Sequence, residues 1–173
     1  MRFIITRESA RAAEIATCTD KELDEAIPAC GLTVTQIRNG HAKICGNDIH
    51  FLLCSAIGAP DRILQEHAFW CMRENLNEDV RLGRKSNWPV LEAIGTARKY
   101  CHGRATVAEL ESAQEILSAN GFKSCLFIRY SASEFSFDTA WAVWCLGNLS
   151  WAEISNDLAD RLIEEERKCP AAK

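Results

Sequence analysis

Three of the four histidines are followed by a cysteine four residues on: His41 and Cys45, His50 and Cys54, His67 and Cys71. The fourth, His102, directly follows Cys101. Imidazole and thiolate are zinc donors, and residues i and i+4 share one face of a helix, so each pair offers two ligands of a four-ligand site. His67, Cys71, Cys101 and His102 form the best such quartet. The competing expectation is that thiols and imidazoles fill half-buried helical positions, and nine cysteines make such spacings common. No C-x-x-C pair occurs, so no zinc ribbon or redox motif is signalled. The thiols read as reduced small hydrophobes, and no metal or other cofactor is expected.

Covalent catalysis needs a nucleophile, a base and an orienting group. No nucleophile elbow, phosphate-binding loop or dinucleotide fingerprint occurs in the chain. The expectation is therefore a protein that binds rather than one that catalyses. Two kinds of residue suit that role. Phe135, Phe137, Trp141, Trp144 and Trp151 form a dense aromatic set. Core is its expected use, and a partner-binding patch the alternative, since tryptophan is enriched at interface hot spots. Acidic clusters stand at Glu74, Glu78 and Asp79 and at Glu164, Glu165 and Glu166. Such carboxylates can occupy the basic groove of a nucleic-acid-handling complex, or simply keep the chain soluble.

A nucleic-acid reading attaches to residues 20–57. Leu23, Ile27, Val34 and Ile37 frame TVTQIRNG as the second helix of a helix-turn-helix, which would offer Thr, Gln, Arg and Asn to base edges. Pro28 stands where that motif usually turns on glycine, and the net charge of −4 gives no basic footprint. Direct DNA binding is the alternative; another protein, or a protein–nucleic-acid complex, is the expected partner.

These residues must be positioned by helices. At 173 residues, 47% apolar and 25% charged, the composition is that of a globular chain able to bury its own core. Four capping boxes, Thr19/Glu22, Thr33/Gln36, Thr106/Glu109 and Ser150/Glu153, mark helix starts. The stretch from Trp88 to Leu110 is the most fully punctuated. Pro89 suits a first turn, Val90, Ile94, Ala97 and Cys101 make an apolar stripe, and Gly103 closes the helix. Asn47 and Pro60 are expected to open two further helices. Residues 77–87 read as a loop, and Ser136 or Asp138 as the cap of a helix from Phe135 to Leu146. Residues 33–45 can also be read as a hairpin around Asn39-Gly40, although the helical neighbours favour a helix. The expected fold is an all-α, compact helical bundle of roughly eight to ten helices with short connections. Residues 1–58 would form an N-terminal helical part and 59–173 the main bundle, with one continuous domain 1–173 as the alternative. No run is long and apolar enough for a membrane span, and the N-terminus lacks a leader pattern, so a cytoplasmic protein without a membrane partner is expected.

The central stretch also carries a family resemblance. Pro89, Ala93-Ile94, Ala97-Arg98, Tyr100, Gly103, Ala105-Thr106 and Glu109-Leu110, with Asp48 to Leu53 (DIHFLL) and Ala68 to Leu76 (AFWCMRENL), resemble alanine-rich helical proteins of phages and prophages. Some of those are labelled putative immunity proteins. The resemblance covers about residues 48–118, and beyond it the chain has fewer alanines than the family pattern. It implies an all-α fold without catalytic residues. The implied function is that of an immunity protein or an inhibitor of bacterial antiphage defence, anti-CRISPR-like, acting by binding its target.

Overall fold

A computed structural model describes residues 2–13, 19–41, 43–83, 87–120, 131–145, 147 and 149–168. Among the described residues the fold is all-α, with nine helices and one pair of two-residue strands. The helices are α1 (Arg7–Ala12), α2 (Asp20–Ala26), α3 (Val34–Arg38), α4 (Gly46–Ser55), α5 (Asp61–Arg81), α6 (Trp88–Cys101), α7 (Val107–Ala119), α8 (Ala132–Cys145) and α9 (Trp151–Lys168). The strands β1 (Ile4–Ile5) and β2 (Leu32–Thr33) pair antiparallel, Ile4 opposite Thr33 and Ile5 opposite Leu32.

Local chemistry explains where the helices start. Thr6/Ser9, Thr19/Glu22, Thr33/Gln36 and Thr106/Glu109 are reciprocal capping boxes, in which each side chain satisfies the other residue's backbone N–H. Residues 34–38 are therefore helix, not hairpin. Asn87 caps α6 by accepting from the Val90 N–H, with Pro89 in the first turn. Gly103 follows with φ +67°, the left-handed conformation that lets the chain turn towards α7.

Several boundaries differ from expectation. Asn47 does not cap α4; it lies inside the helix, after Cys45, which makes no side-chain cap. Helix α5 runs on to Arg81, so most of the expected loop 77–87 shortens to the residues after it. Asn77 donates to Glu74 and Arg81 to Glu78 at i,i+3, pairings that favour continued helix through this polar stretch. Helix α8 is opened by neither Ser136 nor Asp138. Ser131 and Glu134 form its capping box, and Ser136 is fully buried. The apolar segment expected over 122–133 lies outside the described residues as far as residue 130.

The chain divides into two compact units. The first holds residues 1–63 and 151–173, the second 64–150. The expected division near residue 58 kept α9 with the main bundle, whereas α9 belongs with the N-terminal elements. Its Ile154, Leu158 and Leu162 stripe is fully buried, and it packs on α3 and α4. In the second unit α6 and α7 form the most extensive helix pair. Val90, Ala97, Leu110 and Leu117 are completely buried there, and Phe69 meets Phe135 with ring centroids 6.0 Å apart.

Candidate partner-binding face

Helix α8 divides its residues sharply between two faces. Phe135, Ser136, Thr139, Ala140 and Val143 are buried. The opposite arc carries Glu134, Phe137, Asp138, Trp141, Trp144 and Cys145, which recur at three- and four-residue steps and so line one side of a helix. Trp141 is 43% exposed and Trp144 40% exposed. Their ring centroids lie 5.3 Å apart, and Phe137 stands 6.2 Å from Trp141. This is a continuous aromatic ridge at the surface. The expectation of core therefore fails for these two tryptophans and holds for Phe135, which is 2% exposed. Trp151 does not join the ridge. It belongs to the first unit, half-buried, with its ring 5.6 Å from His50.

The ridge is flanked by carboxylates. Glu134 accepts from the backbone N–H and the hydroxyl of Ser131, both at 2.8 Å, and these bonds hold its carboxyl below the usual range. It stays ionised at neutral pH. Asp138, one turn on, is half-buried; burial first, and the Glu134 charge second, push its carboxyl above the usual range. No described cation pairs with Asp138. Between Ser131 and Ser150 the sequence has two carboxylates and no Lys, Arg or His.

Five of the six residues in the expected acidic clusters already have partners within the chain. Glu74 lies 3.7 Å from Arg73 and accepts from Asn77, and Glu78 pairs with Arg81 at 3.1 Å. Asp79, beside them on α5, is half-buried. Glu164 pairs with Lys168 at 2.8 Å, and Glu165 with Arg62 at 3.1 Å. Glu166 accepts from the backbone N–H of Phe3. These five glutamates fasten an element to its surroundings or support their own helix.

The histidine–cysteine pairs separate in the same way. His50 with Cys54 and His67 with Cys71 are buried, with Nε2···Sγ distances of 3.4 and 3.6 Å. His102 turns to Glu66 instead, 2.9 Å away, and Arg98 pairs with the same carboxylate. Burial raises the Glu66 carboxyl, but hydrogen bonds and charge from Arg98 and His102 outweigh it and hold the group low. The Cys101 thiol is pushed up to about 11 by burial and by the Glu66 charge, which opposes the thiolate a metal would need. Among the described residues no three potential ligands cluster as a metal site.

The helix-turn-helix segment is committed elsewhere too. Gln36 is spent in the Thr33 capping box, and Arg38 forms a two-pronged pair with Asp160 of α9. Seven residues, including β2, separate α2 from α3. In the same unit α3, α4 and α9 border a groove of about 210 Å³, whose lining includes Ile37, Ile44, Ile49 and Trp151 together with Arg38 and Asn156.

Sequence reasoning missed Glu134 and Asp138 as parts of this face, and it grouped Phe137 with Phe135 and Trp151, which do not share it. The spacing carried the signal, but only knowing which arc of α8 is buried gives it meaning. No family model, curated protein or solved structure matches the chain.

Proposed function

We propose that this chain is a non-enzymatic protein that acts by binding another protein through the aromatic face of α8. The observation that carries the reading is the exposed Trp141–Trp144 pair. Tryptophan contributes a large apolar area with few torsions to freeze, and exposing two side by side is costly unless something covers them. The resemblance over residues 48–118 supplies the concrete form: an immunity protein or inhibitor of antiphage defence from a phage or mobile element. A DNA-reading role for residues 33–39 draws less support, because Gln36 and Arg38 are held by internal partners.

The test compares capture from bacterial lysate by the wild-type chain, by a Trp141→Ala/Trp144→Ala variant and by a Trp88→Ala control. Trp88 is 65% exposed and lies outside α8. Quantitative mass spectrometry should show a partner retained by the wild type and the control and lost by the double variant. Equal recovery by all three would refute the reading. Salt-sensitive binding of duplex DNA would favour the regulator instead.

A further inference from the structure

The groove between α3, α4 and α9 lies in the first unit, apart from the α8 face, and its lining specifies a ligand of its own. We propose that this groove binds a small neutral molecule built from one aromatic ring and a primary amide, the benzamide class, and that it does so independently of the α8 docking role.

Size and walls select the ring. Ile37 at the end of α3, Ile44 in the loop before α4, Ile49 in α4 and Trp151 at the start of α9 give the groove apolar sides. Its volume is about 210 Å³. An apolar cavity of about 150 Å³ holds benzene, and drug-sized ligands occupy about 300 Å³ or more. One ring with a small substituent therefore fits, and a nucleotide does not. The polar lining selects the substituent. Ser155 donates its hydroxyl to the Gly46 carbonyl at 3.4 Å, and the Gly40 N–H donates to the Ile37 carbonyl at 3.0 Å, so both are engaged. Arg38 donates from Nε and Nη2 to Asp160 at 2.9 and 3.3 Å, which offsets its charge and leaves Nη1 without a described acceptor. The half-buried carboxamide of Asn156 has no described hydrogen-bond partner. It offers two donors and an acceptor oxygen, the complement of another primary amide. A carboxylate would meet Asp160 and a cation would meet Arg38, each a like-charge contact. A hydrocarbon would cover Asn156 and return no hydrogen bond. His41 and Lys43 are exposed in the same loop as Ile44 but do not line the groove.

The experiment follows the five indole N–H signals of the ¹⁵N-labelled full chain by NMR during titration with benzamide, benzoate, benzamidine and toluene, one ring with four different substituents. Benzamide should move the Trp151 signal and leave Trp70, Trp88, Trp141 and Trp144, all in the second unit, in place. It should bind about fivefold more tightly than the other three. Asn156→Ala should weaken benzamide about tenfold and leave toluene unchanged. Ala152→Phe adds a ring from an exposed position in the lining and should abolish binding while circular dichroism stays unchanged. A Trp151 signal that benzamide does not move, or shifts spread over all five indoles, would overturn the proposal. So would benzamide binding that survives Asn156→Ala at full strength. Tightest binding by benzoate would mean that Lys43 governs the site, and tightest binding by benzamidine or toluene would remove the amide requirement; each defeats the inference. If benzamide fails and a phenylalanine-containing peptide alone moves Trp151, the groove receives a side chain of another protein and the small-molecule inference fails.

Discussion

Gly46 and Gly95 invite the same substitution and should answer it with opposite signs. Gly46 opens α4 where α4 meets the start of α9. A Cβ built there would lie 2.8 Å from the Cβ of Trp151, about 0.6 Å inside the 3.4 Å at which ordinary contact begins. The atom it meets is fixed to the backbone and cannot swing away, so Gly46→Ala must separate α4 from α9. Overpacking of this kind costs about 1–3 kcal/mol. The helix-propensity gain of at most about 1 kcal/mol is smaller at a first-turn position. The expected net effect is a loss of about 1–2 kcal/mol, or roughly 2–8 °C in Tm for a chain of this size. Gly95 lies inside α6, and a Cβ there meets nothing within 4 Å. Gly95→Ala should therefore stabilise by about 0.5–1 kcal/mol. Urea unfolding followed by circular dichroism and tryptophan fluorescence reads both, since the two probes report separately if the two units unfold separately. A neutral or stabilising Gly46→Ala would refute the close approach of α4 and α9, and a destabilising Gly95→Ala would refute the open environment on α6.

Three further outcomes are expected. Thr106→Ala removes the cap of α7 and should cost about 1 kcal/mol in urea unfolding. The folded-state carboxyl of Glu66 titrates below its ordinary 4.5, so the unfolded chain takes up the proton first as pH falls. Its stabilising contribution is complete above that value and is lost as pH drops through the folded one; Glu66→Gln should flatten the acid limb of urea midpoints measured from pH 3 to 7. Thiol labelling read by peptide mass spectrometry should modify Cys30, Cys45 and Cys145 rapidly in the native state and Cys54 and Cys71 only on unfolding. Cys101 should react slowly at pH 8, and faster in Glu66→Gln, because burial and the Glu66 charge both disfavour its thiolate.

Much of the fold was legible because helix starts are local events. A Thr with Glu or Gln three residues on satisfies its own backbone donors whatever surrounds it, and Thr19, Thr33 and Thr106 did so where their spacing indicated. The same holds for Pro89 and Gly103, whose preferences are set by their own φ. By composition the polar end of α5 reads as loop, because its support comes from pairs such as Arg81 with Glu78, a few tenths of a kcal/mol each.

The candidate site was less legible, because exposure and charge pairing are properties of contacts. Phe135 and Trp141 lie six residues apart on one helix, yet one is core and the other surface, according to which arc of α8 the rest of its unit covers. Glu165 and Asp138 are both carboxylates in helices, but Arg62, over one hundred positions earlier in the chain, reaches the first, and no described cation reaches the second. The sequence by itself determined that helices dominate, where those opened by a threonine capping box begin, and which stripes are apolar, since short-range hydrogen bonding and periodicity suffice for that. Only the tertiary structure decided that α9 returns to the N-terminal elements, that the histidine–cysteine pairs at 50/54 and 67/71 are buried, and that α8 presents its tryptophans beside two carboxylates, since each depends on segments brought together from distant parts of the chain.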